Sequence, residues 1–447
     1  MSSSLKKDLT VGNVVKQLAA FSIPTLLANV LQALYGLADM IVVGQFIGDA
    51  GLSATGLCSE VMIVISATST GICTGGTVVL AQYMGLKDSE SQKATISTLF
   101  ILMCGIAAAL TALGIALTPG IVQLMRTPVE AVEQANRYLS YSCGGIVFIF
   151  GYNVVCSVLR GLGNSKIPMY IIGFASVLNV LLDLLLVGVC GMDVGGAALA
   201  TVIAQGVAFG LALWYMKDLF TEFEKNSFVF DRQKARLILK IGVPNMLQTT
   251  LVHVSMVFVG AIISTYGVTA SAASAIGQKM SSISTLARQA ISAGVSTMTG
   301  QNMSAGKTDR VESVVKTGVV FSFAANLILF AVVSIFPETV AGIFTKDNAV
   351  MGETIKYLRI VAVSYLVMSP MTVFNALAIG VGNSKQSMFN SLLDSVICRM
   401  PLCVIMGYFF GLTGVYIALA TSPISAVLSG GTYFFRRKWK KDYLLKT

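Results

Sequence analysis

The sequence predicts an all-α integral membrane fold, with twelve transmembrane helices in two pseudo-symmetric six-helix lobes. Three observations carry this expectation. The 447 residues are 55% hydrophobic and only 12% charged. That is about half the charged fraction of a soluble globular chain, so most of the surface must face something other than water. Long apolar runs recur from Leu18 to Phe435, and at about 20 mostly apolar residues per crossing roughly twelve crossings fit. Finally, the second half of the chain repeats the first at a fixed offset.

The first segment, 17–47, follows MSSSLKKDLT, which offers no small-residue cleavage site. It therefore reads as a retained helix rather than a signal peptide. The remaining spans of the first half are expected at 53–84, 94–117, 130–160, 167–189 and 195–216. Next comes KDLFTEFEKNSFVFDRQKARLILK (217–240), the longest charged and least apolar stretch inside the chain. It reads as a cytoplasmic linker between one lobe at 1–216 and a second at 241–435. The later spans are expected at 237–265, 271–304, 312–336, 351–380, 387–410 and 414–435, with a basic cytoplasmic tail at 436–447. Several runs exceed the bilayer, which implies tilt or extension beyond it. Small-residue stretches such as SATSTGICTGGT (66–77) allow helices to approach closely.

The repeat is visible at several independent points. GLGNSK (161–166) recurs as GVGNSK from Gly380, and ALAT (198–201) recurs at 418–421. Pro24 pairs with Pro244, Gln82 with Gln301, and Tyr138–Leu139 with Tyr357–Leu358, all at offsets of 219 or 220. An even number of spans per half makes the repeat parallel, a symmetry used by transporters that rock two halves about a central cavity. The G-x-GNSK segments sit at helix ends and read as tight cytoplasmic turns.

Charge placement sets the orientation. Lys6, Lys7, Lys87, Lys93, Lys166, the 217–240 stretch, Lys307, Arg310, Lys385 and RRKWKK (436–441) fall on one side, leaving little beyond Arg126 and Lys346 on the other. The bias of basic residues toward cytoplasmic loops then puts both termini in the cytoplasm of a multi-pass cell-membrane protein. The same placement argues against nucleic acid as the partner of this +10 chain, since no basic face with interleaved aromatics exists. The eight cysteines form no C-x-x-C or metal-ligand cluster and read as small core residues. Gly306-Lys307-Thr308 imitates the end of a phosphate loop, but the spacing requires glycine where Gln301 stands. No catalytic residues and no resident cofactor are expected.

Ionisable groups inside apolar runs are the informative ones. A charge near the bilayer centre costs at least about 2.5–3.5 kcal/mol, and such groups usually face a cavity. Asp39, in the first span, has no other charge within many residues; in a partly dry cavity it could exchange a proton, a sodium ion and a cationic substrate. Asp183 and Asn179, four apart in the fifth span, share a helical face, and Thr201 in the sixth span adds a hydroxyl. These four residues offer two carboxylates plus neutral oxygens, suited to a shared proton or to Na+. Helix packing is the competing role for them. Tyr35, one turn from Asp39, could hydrogen-bond it; Tyr138 and Asn153 are weaker candidates for the cavity lining. In the second half, His253 is the only histidine and is either a pH-sensitive cavity group or a neutral core residue. Lys279 and Arg288 in the eighth span, and Asp394 and Arg399 in the eleventh, could form intramembrane ion pairs, although Arg288 could instead snorkel to the cytoplasmic face. Glu60 reads as interfacial.

With these residues in view, the chain resembles the multidrug and toxic compound extrusion (MATE) family over essentially its whole length. The resemblance is carried by Pro24 with YGLADMIVVGQFIG (35–48), the two G-x-GNSK turns, VLNVLLDLLLVG (177–188), GAALAT (196–201), and SAIGQKM (274–280) leading to GVSTMTGQNMSAGK (294–307). It implies two six-helix lobes facing each other in a V, and export of amphipathic organic cations in exchange for inward H+ or Na+ by a monomer. It is closer to the bacterial branch similar to DNA-damage-inducible protein F. There the first-span aspartate falls on Asp39, the fifth-span pair on Asn179 and Asp183, and the sixth-span threonine on Thr201. Tyr35, Tyr138 and Asn153 fall on positions lining the same lobe. Another branch uses a seventh-span glutamate; here that span has none, and His253 stands near the expected place. A lipid-linked precursor flippase of the same superfamily would share the fold, but would carry a more cationic cavity.

Overall fold

The computed structural model describes residues 5–125, 127–220, 229–443 and 445, and these are helical almost throughout, with no strand among them. Arg126 lies outside the described residues. The first three helices, α1 (Val14–Phe46), α2 (Asp49–Leu86) and α3 (Ser89–Leu124), follow the expected apolar runs and overshoot them by a few residues. The 130–160 span is two helices, α4 (Val129–Gly144) and α5 (Ile146–Gly161), bent by 43°. No proline causes the bend. A Cβ on Gly145 would come 2.3 Å from the Val202 side chain, so the backbone passes where only glycine fits. α6 (Lys166–Asp183) runs into a π turn, Leu184–Val189, before α7 (Val194–Phe220).

In the second half come α8 (Arg232–Ser264), α9 (Val268–Ser304), α10 (Thr308–Ile335) and a short α11 (Pro337–Phe344). α12 (Asn348–Val361) and α13 (Val363–Val381) divide one expected span, as α4 and α5 do. α14 (Ser384–Leu392) passes through a second π turn, Leu393–Arg399, into α15 (Met400–Thr421), and α16 (Pro423–Phe435) follows. Nine helices among the described residues are long and apolar enough to cross a membrane, and the bent α4–α5 pair makes a tenth. One of the nine is the 52-residue stretch Ser384–Phe435, ample for two crossings, which Gly411 interrupts with φ 60°. α9 is 37 residues long but rich in Ser, Thr and Gln, so apolarity alone does not reveal it. These make twelve spans.

The chain forms two compact units, one of Met1–Asp8 with Ile23–Gly242, the other of Leu9–Ser22 with Val243–Thr447. Each first span therefore changes unit near its start, just ahead of Pro24 in α1 and Pro244 in α8. At these prolines one backbone hydrogen bond is missing. The stretch expected as a linker, 217–240, is helical at both ends, and residues 221–228 lie outside the described residues. Within the first unit the start of α8 packs on α2 backbone to backbone. A Cβ on Gly75 would lie 2.2 Å from the Ile238 carbonyl oxygen. Within the second unit Gly294 of α9 packs on side chains of α1, its Cβ position 2.8 Å from Leu18 and 3.0 Å from Ser22. Gly75 and Gly294 are 219 residues apart, in step with the repeat.

The G-x-GNSK turns have a local cause. Gly163 and Gly382 take φ 86° and 95°, a region open to glycine but strained for other residues. The asparagine that follows caps the next helix: Asn164 Oδ1 accepts from the Lys166 backbone N–H (3.1 Å), and Asn383 Oδ1 from that of Gln386 (3.2 Å).

Two apolar clusters fill the second unit. One gathers Leu9, Leu18 and Phe21 with Val295, Met298, Val373 and Trp439; the other centres on Tyr357, Tyr365 and Tyr416. The failed phosphate-loop imitation has a different task there, holding residues 9–12. Gln301 Oε1 accepts from the Leu9 N–H (2.9 Å), Asn302 Nδ2 donates to the Leu9 carbonyl (3.1 Å), Lys307 Nζ to that of Thr10 (2.8 Å) and Arg310 to that of Gly12 (2.6 Å). The basic tail also folds back. Trp439 is fully buried, and Asp442 accepts from Asn383 Nδ2 and Tyr433 Oη, both at 2.8 Å.

Candidate functional site

The first unit brings three helices together around its intramembrane carboxylates. Asn179 and Asp183, one turn apart near the end of α6, are both buried. Asn179 Nδ2 donates to Thr201 Oγ1 on α7 (3.3 Å). Asp183 is the last α-helical residue before the π turn, where the widened helix departs from the ordinary ladder; such turns recur at functional sites. Asp39 of α1 lies within electrostatic reach of Asp183 and of Tyr35 and Tyr138.

The polar atoms of this cluster are incompletely satisfied. Both carboxylate oxygens of Asp183, Oδ1 of Asn179 and Oδ1 of Asp39 are buried without a hydrogen-bond donor among the described residues. A buried acceptor with no partner costs about 1–3 kcal/mol, more when charged. A proton on a carboxyl, or a hard cation drawn to several oxygens, removes that cost. Either would stabilise the cluster.

Around the carboxylates, the Tyr35 hydroxyl sits beside Gln32 and Gln205, and that of Tyr138 beside Ser59. Gln205 is a member the sequence reading missed. It is buried, its Oε1 has no donor among the described residues, and it lies one turn beyond Thr201 on α7. Its i,i+4 spacing from Thr201 was the available signal, masked because a neutral amide does not stand out in an apolar run. Asn153 donates to Ser69 Oγ on α2 (3.1 Å).

The second unit handles its charges differently. Asp394 and Arg399 form an ion pair of 2.5 Å, with side chains 2% and 3% exposed. Residues five apart lie about 140° apart around an α-helix, but both stand in the π turn, whose i→i+5 register stacks them. Ser422 donates to Asp394 (2.8 Å), and Arg399 reaches the Met256 sulfur (3.5 Å). Here the carboxylate has its counter-charge built in. Arg288 is buried against the hydroxyls of Ser284 and Thr285, while Lys279 and His253 are exposed on α9 and α8. Among the described residues no group of three His, Cys, Asp or Glu forms a metal cage.

Twelve membrane-crossing helices in two sequence-related units, with unpartnered carboxylate oxygens of Asp39 and Asp183 buried in one of them, define a polytopic membrane protein of the transporter class. The MatE family model matches residues 24–185 and again 241–405, one match in each half, and the chain belongs to that family. Its members are transporters, not enzymes. The probable multidrug resistance protein YpnP of Bacillus subtilis (strain 168) is 28% identical over 97% of both chains. The probable multidrug resistance protein NorM of Thermotoga maritima is 24% identical, covering 97% of this chain and 95% of its own. Among solved structures, the outward-facing conformation of a multidrug resistance MATE family transporter of the MOP superfamily superposes with a TM-score of 0.92. It is 23% identical and covers 97% of this chain and 98% of its own.

Proposed function

We propose that this chain is a secondary active antiporter that exports amphipathic organic cations and other xenobiotics in exchange for H+ or Na+, by alternating access. It works as a monomer in the cell membrane, with both termini in the cytoplasm. The observation that carries the reading is the Asp39–Asp183 pair, whose buried oxygens lack donors among the described residues. Placement of the carboxylates in the first unit also supports the branch similar to DNA-damage-inducible protein F.

A cationic substrate and a coupling ion compete for the same negative charge. Substrate leaves when the ion neutralises the pair, and the ion leaves when the other state weakens its hold. Differential affinity in the two states is what couples the fluxes. The membrane potential adds about 2.3 kcal/mol per inward charge per 100 mV, so two ions entering per monocation leaving is strongly favourable. The multidrug resistance names of the relatives support the substrate class.

The test is dye transport in liposomes after a pH jump without sodium, comparing wild type with Asp39→Asn. Proton coupling through Asp39 requires transport by the wild type alone. Wild-type transport restored only by sodium assigns Na+ as the ion, and equal transport by both proteins removes Asp39 from the mechanism.

A further inference from the structure

We infer that the outer face of the first turns of α8 binds the headgroup of an anionic phospholipid from the cytoplasmic leaflet. The inference rests on the orientation proposed above. A shallow, open hollow of about 480 Å³ lies along this helix start, lined by Phe230, Arg232, Ala235, Arg236, Leu239 and Lys240. Arg232, Arg236 and Lys240 are spaced at i, i+4 and i+8, so their exposed side chains stand in one row. Like charges at that spacing repel, yet no carboxylate among the described residues pairs with any of the three. Nearby Asp231 is occupied otherwise, its Oδ1 accepting from the N–H groups of Gln233 (2.7 Å) and Lys234 (3.1 Å).

The row is held rigidly. Lys234, the fourth basic residue of the turn, points inward and donates to Tyr83 Oη (2.5 Å) and Ser91 Oγ (3.0 Å). The chain just before α8 is tied to α3, Ser97 donating to the Val229 carbonyl (3.1 Å) and Thr98 accepting from the Asp231 N–H (3.1 Å). With the inner face fixed on the first unit, the other three cations are presented outward without choice.

Position along α8 selects the ligand. Residues 241–264 contain no Asp, Glu, Lys or Arg, and at about 1.5 Å per residue they cross a hydrocarbon core of about 30 Å. Lys240 therefore stands at the edge of the core, with Arg236 and Arg232 about 6 and 12 Å farther out, through the headgroup layer. The exposed side chain of Phe230 and the half-buried one of Leu239 flank the row on the acyl-chain side of such a lipid. Basic rows at this depth attract anionic lipids at about 1 kcal/mol per residue.

The test uses the full chain in nanodiscs of phosphatidylcholine with phosphatidylglycerol, with retained lipid counted by native mass spectrometry. Wild type should keep phosphatidylglycerol in preference to phosphatidylcholine. Arg232→Gln/Arg236→Gln/Lys240→Gln should lose that preference by about 100-fold, whereas Arg232→Lys/Arg236→Lys should retain most of it. An unchanged preference in the triple glutamine variant overturns the proposal. So does equal competition by soluble glycerol phosphate, which would mean a free-anion site. Selectivity that emerges only with Glu222→Gln/Glu224→Gln would mean the linker fills the hollow, and also overturns it. Labelling of Lys240→Cys from inside or outside sealed vesicles reads the orientation separately, so failure of one reading is not mistaken for failure of the other.

Discussion

Arg399→Met is the substitution whose cost the structure fixes best. It removes the guanidinium 2.5 Å from Asp394 and leaves that carboxylate, 2% exposed, with Ser422 at 2.8 Å as its remaining donor. Stranding one member of a buried pair costs about 3–5 kcal/mol. If the loss falls on the unfolding step, inactivation accelerates between about 100-fold and several thousand-fold. Replacing both members by apolar groups of similar volume, Asp394→Leu/Arg399→Met, strands no charge and should return stability to within about 1 kcal/mol of wild type. The assay is the half-life of the folded, monodisperse protein in detergent at a fixed elevated temperature, for wild type, both single variants and the double variant. The signature is strong non-additivity, with the double variant outlasting Arg399→Met. A single variant as durable as wild type, or a double variant worse than either single, refutes the reasoning. A durable double variant that no longer transports would give the pair a role in coupling as well as in holding the π turn.

Gly75→Ala should reduce the yield of folded protein sharply, because its Cβ would sit 2.2 Å from the Ile238 carbonyl oxygen; Gly105→Ala, with nothing within 4 Å, is the control in the same expression assay. Asp88→Ala should cost about 1 kcal/mol by uncapping α3, where Asp88 accepts from the Ser91 N–H at 3.0 Å. The Ser91 backbone N–H, with its hydroxyl, holds the Asp88 carboxyl below its ordinary 3.8. The stabilisation is therefore complete above about pH 3.8 and lost as pH falls through the lowered value, which thermal unfolding of wild type and variant across acid pH reads directly. Gln205→Leu should change the ion concentration for half-maximal transport by about fivefold, the worth of one hydrogen bond, and leave the folded yield unchanged.

Most of the spans were legible because the bilayer imposes one demand, a long run of apolar side chains, that composition displays openly. α9 is the instructive exception: too polar to be recognised by apolarity, it is placed by the repeat that ties Gln301 to Gln82. The Gly144–Gly145 bend and both π turns were not legible, since they answer to neighbours such as Val202 that no local pattern announces. For the candidate site, Asn179 and Asp183 could be grouped in advance because i,i+4 spacing is a local property, whereas Gln205 hid behind its neutrality. His253 and Lys279 attracted notice as rare ionisable groups, and both are exposed on their helices. Rarity is a property of the sequence, while facing is a property of packing.

The hold of Gln301, Asn302, Lys307 and Arg310 on residues 9–12 has a consequence for how the protein is made. The Leu9–Gln301 bond joins positions 292 apart. At about 5–20 residues per second, the ribosome delivers the acceptor about 15–60 s after the donor has emerged. Throughout that interval the leading edge of α1 has been synthesised but its docking place has not. The order of events is then fixed by synthesis: residues 9–12 are made first, and they are stitched into the second unit only when α9 arrives. A premature stop before residue 301 leaves that stitch unmade, however well the first six spans have inserted.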